Sequence, residues 1–320
     1  MVAERLYYNA SALELRALEF AATVTDIRLD SKDTNGQLWQ ISLDKTAFYP
    51  VGGGQPFDLG TLTATSRSGA VLEVQVERVE EDEAGEVWHY VRKPLMHETE
   101  IVGRVDASRR MDHAQQHSGQ HLLSAIFLEE VGAKTVSFHL GADSVTIDLA
   151  VEKLSEEHLQ QVEAAANRVI YEDRVIAPRW VERAEAEAML QRGELRKLPE
   201  RQGPMRIVEM QGIEFNACGG THVASTGAIG SILVRRTEKV KQGTRVEFVC
   251  GLRAVETARR DYALLRQAAG LLSVGAKDLP ARVEKLLQDA KAAAKELKLL
   301  KKAASSGTPP AQEAIHSAGE

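Results

Sequence analysis

Histidine recurs at every fourth position in the segment HAQQHSGQHLL, as His113, His117 and His121. On an α-helix each i, i+4 step overshoots a full turn by about 40°, so the three imidazoles share an arc of about 80° and neighbouring pairs can chelate one ion. A second cluster lies in EFNACGGTHV, where Cys218 and His222 stand four apart across Gly219 and Gly220. The double glycine lets the backbone turn tightly enough to aim both side chains at one point. Two helical histidines with a Cys and a His from a turn make a four-donor N/S set, which favours one tetrahedral Zn²⁺ over oxygen-seeking Mg²⁺ or Ca²⁺. For the helical pair, His117 and His121 are preferred, because Leu122, Leu123, Ile126 and Phe127 root that turn in a core. His113, on the first turn of a helix starting at Asp112, is expected nearer solvent and outside the ligand set.

Two further features could bind substrate. TAFYPVGGGQPFDLG, from Thr46 to Gly60, offers bare backbone N–H groups at Gly52, Gly53 and Gly54, or simply a hairpin turn. It has neither the GxxxxGK[ST] of a P-loop nor the GxGxxG of a dinucleotide site. Arg235, Arg236, Lys239, Lys241 and Arg245 crowd eleven residues against the single acid Glu238, and Arg104, Arg109 and Arg110 precede the histidine helix. Both sets flank the metal motifs in sequence and suit phosphate contacts, although charge protecting a strand edge explains such a run too.

These motifs need elements to hold them. Between residues 20 and 106, runs at Thr23 to Leu29, Trp39 to Leu43, Val71 to Val79, Val87 to Val91 and Glu100 to Val105 alternate or are β-branched, and turn residues separate them. The spacing predicts an antiparallel sheet or small barrel. Glu77 to Glu86, with six acids and one arginine, reads as a solvated hairpin tip away from the metal motifs. From Asp112 a helix is expected to Phe127, ending at Gly132. Strands follow at Thr135 to Leu140 and Val145 to Leu149, a helix at Ser155 to Tyr171, a strand at Val175 to Val181, and a short helix at Ala184 to Leu190. Further strands are expected at Met205 to Met210, Ile229 to Arg236 and Arg245 to Cys250. Helices mixed with local strands indicate an α+β domain with an antiparallel sheet. Beyond Gly251, apolar residues at 3-4 spacing (Val255 to Leu272, then Val283 to Leu300) predict two amphipathic helices, forming a hairpin, a subunit contact or a cover for another surface. The polar stretch Ser305 to Glu320 is expected to be disordered.

Composition sets the bounds. The 320 residues are 43% hydrophobic and 27% charged, with a net charge of −6, which fits a globular chain rather than one that coats long polyanions. No apolar run reaches the ~18 residues of a membrane span, and the N-terminus lacks a signal-peptide pattern. Two cysteines in the whole chain cannot form a disulfide framework and fit a reducing, cytoplasmic setting. Cys250, in an apolar strand, reads as core.

In the order TAFYPVGGGQ, HSGQHLL, CGGTHV and IGSILVRRTEKVKQGTRVEFVCGLRA, the chain from about residue 20 to 255 resembles the editing half of alanyl-tRNA synthetases and the alanyl-tRNA editing proteins of the AlaX type. The resemblance implies an α+β fold in which a small β-barrel packs on an editing core like that of threonyl- and alanyl-tRNA synthetases. The expected domains are a barrel over 1–106, a zinc-binding core over 107–252, a helical hairpin over 253–304 and a tail over 305–320. It implies that His117, His121, Cys218 and His222 hold one zinc ion, and that the activity is hydrolysis of the ester joining serine or glycine to tRNA for alanine. No class II aminoacylation core is legible, so the expectation is a trans-editing factor; dimerisation through the C-terminal helices is a further possibility. Thr46 and Gln55 are candidates for reading the amino acid or the terminal ribose, with Gly52, Gly53, Gly54, Arg235, Arg236, Lys239 and Lys241 for the rest of the substrate. Four protein ligands would close a catalytic zinc, so either Cys218 or His222 is expected to be loosely held, or the metal positions substrate without activating water. The competing readings are a tRNA-binding module with a structural zinc and a zinc hydrolase of another small ester.

Overall fold

A computed structural model describes residues 2–8, 18–200, 203–241 and 243–305. They divide into two compact units, Met1–Val255 and Glu256–Glu320.

The first unit begins with strands β1 (Glu4–Arg5), β2 (Glu19–Asp33), β3 (Gly36–Leu43), β4 (Lys45–Thr46), β5 (Gly60–Thr65), β6 (Val71–Glu81), β7 (Val87–Val91) and β8 (Glu100–Val105). Six of them close a barrel in the order β2-β3-β7-β6-β5-β8, while β1 and β4 form a short parallel pair. Alternate residues of the barrel strands, among them Val24, Ile41, Leu62, Val79 and Val91, fill its interior. Strand β5 was not expected: GTLTAT has small residues and follows directly on the glycine-rich segment, so it offers little β-branched or aromatic signal beyond its threonines. Closure depends on it, because β5 pairs with both β6 and β8.

Helix α1 (Ala107–Val131) follows the barrel. It starts at Asp106, not Asp112, because the Asp106 carboxylate accepts the Ser108 and Arg109 N–H groups; such a cap stabilises by about 1 kcal/mol. Asp112 sits inside the helix and pairs with Arg253 and the Gln116 amide. The earlier start also corrects His113. It lies on the second turn and is buried, with a pKa lowered to about 4 by burial and the nearby Arg109. The helix stops at Gly132 as expected, with Ala133 N–H closing on the Phe127 carbonyl at 3.0 Å.

Next come β9 (Thr135–Leu140), β10 (Val145–Leu149), α2 (Glu156–Tyr171), β11 (Ile176–Val181), α3 (Arg183–Gln191), β12 (Met205–Met210), β13 (Glu214–Ala217), β14 (Ile232–Val240) and β15 (Gly243–Cys250). A four-stranded antiparallel sheet, β14-β15-β10-β9, shares one core with α1 and α2 through Leu122, Phe127, Ile147, Val162 and Phe248. A second sheet, β11-β12-β13, packs with α3 around Met189, Met205 and Ile207. The chain is therefore α+β, with a barrel joined to a core of antiparallel sheets.

One buried ion pair ties barrel to core. The Arg110 guanidinium, on α1, meets Asp58 at 2.5 Å, and both side chains are fully buried. Arg110 also donates to the Ala47 carbonyl, and Asp58 accepts the Tyr49 N–H at 2.7 Å. Removing one partner from such a pair costs roughly 3–5 kcal/mol, since the other charge is left buried. The glycine-rich segment is thus clamped at both ends to the helix that carries the histidines.

Helix α4 (Gly251–Leu271) runs from the first unit into the second, which also holds α5 (Leu279–Ser305). Tyr262 and Leu265 of α4 and Val283, Leu286, Leu297 and Leu300 of α5 are exposed. Residues 306–320, most of the expected tail, lie outside the described residues. No helix among the described residues is long and apolar enough to cross a membrane.

Candidate metal centre

His117 and His121 come from α1, one turn apart, and Cys218 and His222 from the loop after β13. One ligand atom from each lies within 4.8 Å of the others. The Cys218 Sγ stands 3.4 Å from His117 Nε2 and 3.3 Å from His222 Nε2. A tetrahedral zinc with ordinary Zn–S and Zn–N bonds would separate S and N by about 3.5 Å, so the cluster is close to the size such an ion needs.

The outer ring nitrogens support the same reading. His117 Nδ1 meets Gln55 Oε1 at 2.8 Å, His121 Nδ1 meets Glu214 Oε1 at 3.2 Å, and His222 Nδ1 meets Ser118 Oγ at 3.0 Å. Each imidazole is therefore oriented through Nδ1, which leaves Nε2 for the cluster, the arrangement that metal-binding histidines adopt. The supports are themselves fixed. Gln55 bonds Thr221 through its amide and accepts the Thr221 N–H, Glu214 pairs with Arg196 at 2.6 Å, and Ser118 Oγ accepts the Val223 N–H.

Burial alone would raise the Cys218 pKa, but the electrostatics and hydrogen bonds of the surrounding imidazoles, His117 first among them, outweigh it and hold the thiol well below its usual value. Burial likewise works against a charged His121, and contact with Cys218 and Glu214 overcomes it, raising that imidazole to about 9. His222 goes the other way, pushed down to about 3 by burial. The set as folded thus offers a thiolate among imidazoles, the donor chemistry of a soft or borderline metal.

The backbone of the Cys218 turn has one dedicated clamp. Buried Arg206, on β12, donates to the carbonyls of Cys218 at 2.7 Å, Gly220 at 3.0 Å and Tyr8 at 2.9 Å. Gly220 packs so closely on His117 and Gln55 that a Cβ there would overlap the imidazole.

A cavity of about 830 Å³ opens beside the cluster. His117, His121 and Cys218 line it, and His222 does not. Gly52 and Gly53 form part of the wall. The glycine-rich segment forms the hairpin turn that was one of its two expectations: Gly52 and Gln55 close it, bonded at 2.9 and 3.1 Å, and Gly53 and Gly54 supply the positive φ angles of 55° and 83° that its two central positions require. Gly54 itself faces Phe138, where a Cβ would crowd the ring.

Other expected site residues fall elsewhere. Thr46 is buried in the barrel, its hydroxyl taken by His89 Nε2 at 2.8 Å and the Phe48 N–H at 3.0 Å, so it does not reach the cavity. Gln55 reaches the cluster, but as the partner of His117. Arg235, Arg236, Lys239 and Lys241 lie on the β14–β15 hairpin and are not among the residues lining the cavity; Arg236 pairs with Glu247, and Lys239 lies 4.0 Å from Glu152. Arg110 serves the buried pair described above, Arg104 pairs with Glu19, and Arg109 bonds the Phe57 carbonyl. The cations at the cavity are instead Arg5, Lys134, Arg196 and Lys197. The acidic hairpin also differs from expectation: Glu81 lines the cavity and pairs with Arg5 at 2.8 Å. Ser118, Glu214, Thr221 and Arg206 were not among the expected site residues. Ser118 and Glu214 lie inside the two quoted motifs and carried a signal, whereas Arg206 stands alone in a strand.

Comparison with known proteins places this arrangement in a class. Residues 205–247, which include Cys218 and His222, match the family described as "Threonyl and Alanyl tRNA synthetase second additional domain". More narrowly, the chain is similar over most of its length to an alanyl-tRNA editing protein and to part of several alanine-tRNA ligases. It is 33% identical over 285 residues to an alanyl-tRNA editing protein of Bos taurus, covering 86% of this chain and 62% of that protein. It is 35% identical over 273 residues to the alanine-tRNA ligase of Pyrococcus abyssi, covering 82% of this chain and 29% of the ligase. With the ligase of Methanosarcina barkeri the identity is 35% over 309 residues, or 93% of this chain and 31% of the ligase. The chain thus spans less than a third of these ligases and about three-fifths of the bovine protein.

Proposed function

We propose that this chain hydrolyses the ester joining serine, or glycine, to tRNA for alanine, at a site built around one zinc ion held by His117, His121, Cys218 and His222. The observation that carries the reading is the position of the cluster: three of its four ligands line a cavity that Gly52 and Gly53 line too. An aminoacyl ester is already activated, so the site needs to hold it and its attacking water rather than form a covalent intermediate. When bound, zinc would supply Lewis acidity and lower the pKa of water. The protein's own residues do the rest. Gln55, Glu214 and Ser118 fix the three imidazoles, Arg206 fixes the turn, and the bare backbone of Gly52 and Gly53 admits the terminal ribose closely. Arg5, Lys134, Arg196 and Lys197 put positive charge where a 3′-terminal phosphate would approach.

Cys250 is no alternative nucleophile. It is buried, its thiol is pushed well up by burial, and it is absent from the cavity wall. Of Cys218 and His222, Cys218 is the ligand better placed to loosen, since it lines the cavity and His222 does not. A reduced Cys218 also accords with a cytoplasmic location.

The four-donor set favours a second reading, a tRNA-binding module with a structural zinc, because no metal position is left vacant. Incubation with tRNA for alanine charged with serine, glycine or alanine separates the two. The editing reading expects serine or glycine to be released well before alanine. A binding module releases none, and equal release of alanine would point to an unselective hydrolase.

A further inference from the structure

Five residues of α1 line the cavity at helical spacing: His117, Gln120, His121, Ser124 and Leu128. The two histidines face the cluster. Gln120 and Ser124 continue the same face toward the helix C-terminus and form a polar strip with Thr135 of β9, which also lines the cavity. The strip has a fixed direction. Gln120 Nε2 donates to Ser124 Oγ at 2.9 Å, and Thr135 Oγ1 donates to the same oxygen at 2.8 Å. With its NH₂ group engaged in this way, the Gln120 amide leaves its carbonyl oxygen over.

That oxygen has no partner. Gln120 is only 5% exposed, and its Oε1 is buried without a hydrogen bond among the described residues. Native proteins leave few buried acceptors unmet, and an unmet one on a cavity wall marks where a ligand's donor belongs. The acceptor is neutral, which suits a neutral O–H better than an ammonium group; Glu81, on the same cavity, is the better partner for a cation. Leu128 and Phe138 supply apolar wall in the same cavity.

We propose that Gln120 Oε1 accepts a hydrogen bond from the side-chain hydroxyl of the esterified amino acid, which makes Gln120 the residue that selects serine over alanine and glycine. This rests on the ester-hydrolase reading and names the group that sets its specificity. Serine satisfies the acceptor, whereas the methyl group of alanine would seal it off unmet. Discrimination by a site built to bond a hydroxyl exceeds what an apolar pocket achieves between the same two side chains.

The test compares kcat/KM for seryl- and glycyl-tRNA for alanine in the wild type and in Gln120→Met, which keeps the length of the side chain and removes the carbonyl. The expected result is a loss of about tenfold for the seryl substrate, the worth of one hydrogen bond, with the glycyl substrate changed less than about twofold and the metal content unchanged. Equal loss for both substrates would show a merely structural glutamine and overturn the proposal, and so would an unchanged ratio. If Gln120→Met does not fold, the wild type alone decides, through its binding of non-hydrolysable 3′-seryl and 3′-alanyl amides of adenosine. About tenfold tighter binding of the seryl compound supports the assignment, and equal affinity overturns it. A wild-type protein that binds the amides but deacylates neither tRNA rejects the hydrolase reading and leaves the amide comparison to judge Gln120.

Discussion

The two cysteines press against opposite faces of the same helix. Cys218 approaches α1 where His117 and His121 project, and its sulfur is surrounded by imidazoles. Cys250 approaches the other side at Gly119, where a Cβ would overlap its sulfur, and Gln116 bonds both its N–H at 2.8 Å and its carbonyl at 3.0 Å. Burial raises both thiols; at Cys218 the surrounding imidazoles reverse the shift, whereas at Cys250 the pull of Arg253 is opposed by Asp112 and burial prevails. Residue type and burial alone therefore do not distinguish ligand from filler. What distinguishes them is which neighbours the helix presents, histidines on one face and a glycine on the other.

Substitutions can break that contrast. Cys218→Ala should remove the bound metal and lower deacylation about a thousandfold, as loss of a group that shapes the reacting site does; elemental analysis and single-turnover hydrolysis measure both. A Cys218→Ala protein that keeps its metal would erase the difference between the faces. The pH dependence of metal binding comes next in size. In the metal-free protein His121 is protonated at neutral pH, since its pKa is raised to about 9. Metal must displace that proton, so apparent affinity should rise with pH up to about 9 and then level off, gaining about fiftyfold between pH 7 and pH 9. Titrations in buffers of different ionisation enthalpy would count the proton, and an affinity that is flat over this range refutes the assignment.

Gln55→Ala probes the support behind His117. It should weaken metal binding by roughly 10–100-fold, the usual effect of losing an orienting partner, as measured by competition with a chelator. Cys250→Ala is the control on the opposite face. It should cost about 1–2 kcal/mol of unfolding free energy by the small cavity it leaves and leave metal affinity unchanged. A shift of metal affinity in Cys250→Ala larger than in Gln55→Ala would reverse the roles of the two faces.

Sequence periodicity and motif spacing made much of this visible. The ligands share one helix face and one glycine turn, both local in sequence, so the donor set was legible before any contact was known. Strands β9, β10 and β12 were legible too, because their branched residues alternate between clear turn signals. What escaped was long-range. Arg110 looks like a surface cation in sequence, yet Asp58, fifty-two residues earlier, draws it into the interior. Thr46 sits in a motif that resembles a binding loop, but His89 claims its hydroxyl from across the barrel. The basic run after Cys218 is close to the metal ligands along the chain, while the hairpin β14–β15 carries it to positions that do not line the cavity. Charge clusters acquire a role only from the fold around them, which linear proximity does not encode.

If the His117, His121, Cys218 and His222 cluster works as a metal site in ester hydrolysis, activity must follow the metal. Stripping the protein of metal and then restoring one equivalent of zinc, with release of serine from seryl-tRNA for alanine followed at each stage, measures this. Release should stop on stripping and return with one zinc per chain. Undiminished release by folded, metal-free protein would refute a metal-dependent site.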